Sequence, residues 1–93
     1  MTAEKILTIF SELLAGRPEM RIDHADNCPT LSRCFRVLFT RPGSKQPALL
    51  NPFIVISETE IFHWEPSSHA TLLDWLRPKI EHVLDQAGLS MLR

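Results

Sequence analysis

Glycine is scarce, with three in 93 residues. That excludes a glycine-rich phosphate-cradling loop, which needs several closely spaced. Long apolar runs are missing too. None approaches the roughly 20 residues that span a bilayer. Met1 to Lys5 lacks the basic region, apolar stretch and cleavage site of a signal peptide, so the expectation is a cytoplasmic protein. Cysteine is limited to Cys28 and Cys34. In a reducing cytosol these are expected as free thiols; a disulfide between them is geometrically conceivable but disfavoured there. A charge excess is absent as well. The formal net charge of −1 argues against a general nucleic-acid binder.

What is present is an ordinary globular composition of 44% hydrophobic and 23% charged residues, on a chain long enough for a single domain with one core. The strongest pattern is an apolar stripe in the last third. Leu72, Leu73, Leu76, Ile80, Val83, Leu84 and Ala87 recur at helical spacing, straight through Pro78. Pro78 falls on the opposite side of that helix, where the freed carbonyl of Asp74 can bond water, so one kinked helix is expected. His69 projects onto the apolar face, with a strand end as its expected hydrogen-bond partner. At the other end of the chain, Ile6, Leu7, Ile9, Phe10, Leu13 and Leu14 form a second stripe. Thr2 can cap it and Gly16 can close it in a left-handed conformation.

Between the helices the pattern turns to strands. Met20 to Asp23 alternates, and His24 to Ser32 reads as a loop. Cys34 to Thr40 is a strand with Phe35, Val37 and Phe39 on one face. Phe53 to Ser57 is another, which Ala48 to Asn51 can extend across a bulge. Glu58-Thr59-Glu60 reads as a hairpin connection to a further strand, Ile61 to Trp64. The expected fold class is α+β, in the order α-β-β-β-β-α, with a mostly antiparallel sheet and both terminal helices on one face.

No residue set reaches a catalytic or cofactor motif. His24, Cys28 and Cys34 are spaced His-x3-Cys-x5-Cys without the tight pair of a structural zinc site. Cys28 lacks a helix N-terminus to stabilise a thiolate. Glu58 and Glu60 flank a turn, without the contrasting environments of an acid/base pair. His63 and His69 read as structural histidines. The remaining signal is charge. Arg17, Arg21, Arg33, Arg36, Arg41 and Lys45 outnumber Glu19, Asp23 and Asp26 in the middle of the chain, while acidic residues dominate from Ser57 onward. The two regions either neutralise each other and face water, or leave a patch for a partner. Trp75 lies off the centre of the last stripe near Lys79 and His82; it covers a sheet edge or anchors an interface.

These features favour a small non-enzymatic protein that binds another macromolecule, such as an adaptor, an immunity or inhibitor protein, or a phage-type blocking protein. The candidate contact residues are Arg33, Arg36, Arg41, Trp75, Lys79 and His82, with no catalytic residue, metal or cofactor assigned. The expected partner is a protein or protein complex, not nucleic acid or membrane. The alternative is a self-associating homodimer using a sheet edge and the Leu89–Leu92 tail; less favoured is a metal or thiol enzyme using Cys28 with nearby histidines.

Overall fold

The computed structural model describes residues 2–26, 28–40, 43, 45–46, 48–49 and 53–88. Helix α1 spans Ala3–Leu13, and Thr2 caps it by accepting the N–H of Lys5 at 3.2 Å. Its end differs from the expected glycine cap. Gly16 has no positive φ; instead the Leu14 N–H reaches Phe10 and Ser11 carbonyls, and the Ala15 N–H reaches Glu12. A tight final turn satisfies these carbonyls without a left-handed residue.

Strand β1 (Met20–Ala25) pairs antiparallel with β2 (Ser32–Phe39), so the loop is shorter than the sequence suggests. On the other side of β2 lie β3 (Ala48–Leu49) and β4 (Ile54–Ser57), also antiparallel. These two share one position in the sheet. Leu38 faces Leu49 and Phe35 faces Ile54, so both strands lie along the side of β2 away from β1. The bulge expected between Ala48–Asn51 and the next strand lies outside the described residues.

The fourth strand expected at Ile61–Trp64 is absent. Those residues belong to helix α2 (Glu58–Trp64), which changes the order to α-β-β-β-α-α around a three-stranded antiparallel sheet. The α+β class stands. Ser57 caps α2 by accepting the Glu60 N–H at 3.1 Å, and Glu58 and Glu60 sit at its positive N-terminal end. A strand would have put Ile61 with His63 and Phe62 with Trp64. The helix puts Ile61 and Trp64 inward together and leaves Phe62 and His63 exposed.

Helix α3 (His69–Gln86) runs unbroken through Pro78, which is exposed as expected. Ser68 caps it and Gly88 follows it at φ 75°. Its stripe from Leu72 to Leu84 packs inward, whereas Ala87 is exposed. α1 and α3 pack against each other over the sheet face carrying Met20, Ile22, Phe35, Val37, Ile54 and Ile56, in one apolar cluster. Phe10 and Phe35 meet edge to face at its centre, with ring centroids 5.5 Å apart.

The opposite sheet face carries Arg21, Asp23, Ala25, Cys34, Arg36, Leu38 and Val55 by strand alternation. No described helix covers it. Cys34 and Ala25 are nevertheless buried there, because Cys28 is disulfide-bonded to Cys34. This corrects the free-thiol expectation. The β1–β2 pairing sets Ala25 opposite Cys34, and three further residues bring Cys28 back over the same corner. Within the six-residue separation, Leu31 is held at φ 61° with its side chain 69% exposed. Its carbonyl accepts the N–H of Glu58 at 2.9 Å, which ties the loop to the start of α2.

Candidate protein interface

The contact residues proposed from sequence do not form one patch. Arg41 lies outside the described residues. Arg33 stands at the start of β2 and donates to Glu58 at 3.0 Å. Arg36 projects from the outward sheet face, opposite Asp23 in register, with its Nε buried and lacking a hydrogen-bond partner. Lys79 and His82 come together on α3, one turn apart, where they line a groove with Pro78, Val83, Phe53, Ile54 and Val55.

Trp75 is not an exposed anchor. It is 8% exposed, stacked on Trp64 with ring centroids 5.7 Å apart and planes 12° from parallel. Its indole Nε1 donates to Glu60 Oε2 at 2.6 Å, and Lys79 Nζ reaches the same oxygen at 2.7 Å. Helical projection places Trp75 beside the stripe, and α2 is the element that covers it. The Glu60–Trp75–Lys79 cluster therefore clamps α2 to α3. A seven-residue helix is too short to persist alone in water, so such tertiary contacts hold it.

The clamp has a pH consequence. Burial pushes the Glu60 carboxyl up, but hydrogen bonds from Lys79 and Trp75, with the Lys79 charge, outweigh it and hold the group below its ordinary value. A carboxyl depressed in the folded state stabilises the fold above its unfolded pKa and loses that contribution as pH falls through its folded pKa. Stability measured by urea unfolding should therefore fall on acidification through and below the ordinary glutamate range. Glu60→Gln should be less stable at neutral pH and have a flatter acid limb. Parallel acid limbs for the two proteins would show that the clamp carries no linkage.

Several other charges are paired close by. Arg17 lies 3.8 Å from Glu19 and Arg21 lies 3.6 Å from Asp23, both within the basic middle. Arg33–Glu58 joins the middle to the acidic end. His69 is exposed at the first turn of α3, and its Nε2 meets Glu12 of α1 at 2.8 Å, not a strand end. His24 stacks edge to face on Phe35, and His63 on Trp64. Cys28 and Cys34 hold each other, so the His24–Cys28–Cys34 set offers no free thiolates to a metal.

Phe53 and Val55 are candidate contact residues that sequence reasoning does not single out. Val55, in β4, is 49% exposed and Phe53, the residue before that strand, 38%, on an edge that carries no charge from Phe53 to Ser57. The uncharged run Phe53-Ile54-Val55-Ile56-Ser57 is visible in the sequence; that it lies at an edge is not. β4 pairs with β2 alone among the described strands. Its outer side borders the groove, whose volume is about 350 Å³. Among the described residues, the most exposed large apolar side chain is Phe62 of α2, at 79%.

Among the described residues, no helix is long and apolar enough to cross a membrane. Comparison with protein-family models, with curated proteins and with solved structures finds no match.

Proposed function

We propose that this chain is a non-enzymatic protein-binding domain that docks its partner along the outer edge of β4 and the adjoining groove on α3. The observation that carries this reading is the uncharged β4 edge, unpaired among the described residues, with Phe53 and Val55 exposed beside a groove flanked by Lys79 and His82. An edge strand presents a row of backbone donors and acceptors, and natural sheets usually guard such a row with charge or cover. A partner strand laid there gains main-chain hydrogen bonds, while alternate side chains reach the groove and the outward sheet face. Adaptor, immunity or inhibitor roles all need such a docking edge and no turnover chemistry. The partner strand is either foreign or a second copy of this chain, and the lack of charge on β4 favours the second copy.

Photo-crosslinking tests the site. A photoreactive amino acid replacing Val55 should give covalent protein adducts in cells, whereas the same residue replacing Arg21 on the opposite edge should not. Equal adducts at both positions, or none at position 55, would remove the assignment.

A further inference from the structure

We infer that the occupant of the β4 edge is β4 of a second copy, paired antiparallel about a two-fold axis through Val55. This rests on the protein-binding reading and names the partner of the same site.

The two edges of the sheet differ in chemistry. β1 carries Arg21 and Asp23 on its outward face, 3.6 Å apart at their charged ends. Edge charges of this kind oppose the approach of another strand. β4 and its leading residue carry no charge from Phe53 to Ser57. With Val55 on the axis, Ile54 faces Ile56 of the second copy, and Phe53 faces its Ser57. Every directly opposed pair is apolar or neutral, so the antiparallel register costs no like-charge contact. Ile54 and Ile56 lie on the core face, and their pairing continues that apolar layer into the second sheet. The two Val55 side chains cover each other on the outward face.

The surrounding charges also fit a second copy better than an acidic segment. Lys79, the cation at the groove, is already 2.7 Å from Glu60 of its own chain. It neither repels its copy strongly nor offers an uncompensated charge to a carboxylate. Arg36 lies two residues from Cys34, the partner of Val55, so the Arg36 positions of two copies stand three strand spacings across and four residues along, about 20 Å apart, which exceeds the screening length of about 8 Å at physiological salt. A strand pair of this length is small for a stable dimer, and the groove walls at Phe53, Pro78 and His82 extend the contact. The association is therefore concentration-dependent.

Sedimentation velocity from about 1 μM to about 1 mM is the direct measurement. The wild-type chain should pass from monomer to dimer within that range. Val55→Lys, at a half-exposed site, should stay monomeric throughout with an unchanged urea midpoint, and Arg21→Ala should dimerise like wild type. Geometry gives a second readout. In Val55→Cys, oxidised glutathione should join the introduced thiols of two copies, releasing two equivalents of reduced glutathione per crosslink. In Phe53→Cys the introduced thiols would stand about 13 Å apart and should not join. A wild-type monomer across the range overturns the inference, as does a dimer unaffected by Val55→Lys or crosslinked equally from both positions. If the chain is monomeric but position 55 still captures a foreign protein, only the self-pairing falls. If position 55 captures nothing, both readings fall.

Discussion

Replacing Trp75 with alanine should lower the unfolding free energy by about 3–5 kcal/mol, the usual cost of deleting a large buried aromatic. Three losses combine. The indole is 8% exposed, so most of its apolar area leaves a cavity. Its stacking on Trp64 disappears, which in comparable pairs is worth about 1 kcal/mol beyond burial. Glu60 loses its 2.6 Å donor and keeps only Lys79. Typical domains have about 5–15 kcal/mol in total, so this one side chain accounts for a large share. Trp75→Phe should fall between, since it keeps a ring against Trp64 but forfeits the hydrogen bond, at about 1–3 kcal/mol for a bond to a charged group. Urea unfolding gives both values, and the near-ultraviolet circular dichroism of the stacked indoles should collapse in Trp75→Ala. A cost below about 1 kcal/mol would mean that α2 does not close over Trp75.

Opening the Cys28–Cys34 bond should cost about 2 kcal/mol. The loop it closes is short, and chain-entropy reasoning assigns such a loop a modest constraint on the unfolded state. Cys28→Ser is the better variant, because Cys34 is 1% exposed and a hydroxyl there would be buried. Dithiothreitol on the wild type should reproduce the effect, with two electrons and two protons passing to the disulfide. The change should be local as well as global. Leu31 occupies a left-handed conformation that costs a leucine about 1–2 kcal/mol, and the closed loop helps to hold it. Without the bond, cleavage by a protease selective for leucine should appear at Leu31, and amide exchange at Glu58 should accelerate as its bond to the Leu31 carbonyl opens. Identical exchange at Glu58 in oxidised and reduced protein would show that the loop keeps its shape without the disulfide.

The elements legible from sequence are those whose signal repeats. The stripes of α1 and α3, and the alternation of Phe35, Val37 and Phe39, each rest on several residues at one period, so a single atypical position such as Pro78 does not disturb them. α2 is hard to read from sequence because it is short. Over seven residues, Glu-Thr-Glu resembles a turn and Ile61–Trp64 a strand, and periodicity has too little length to separate the two. The signal that resolves it is Ser57-x-x-Glu60, the sequence form of a capping box. Its Ser57 half forms here, while the Glu60 carboxylate turns to Trp75 and Lys79. Which of the two readings of Trp75 holds, edge cover or exposed anchor, depends on α2, since a residue beside an apolar stripe is exposed or buried according to what lies across from it.

The candidate interface was legible only in part. Lys79 and His82 share a helix face at a spacing of three, which sequence alone supplies, and the structure keeps them together at the groove. Arg33 and Arg36 belong to opposite faces of β2, so their closeness along the chain does not make a patch.

By itself the sequence determines the two apolar helices, the alternating strands and the lack of charge on β4, because each depends on residue type and spacing within one segment. Tertiary structure alone decides the rest. The β1–β2 register brings Cys28 to Cys34, α2 buries Trp75, and the pairing of β2 with both β1 and β4 leaves β4 at an edge. These outcomes depend on which segments meet, and segments distant in sequence meet only when the whole chain has packed.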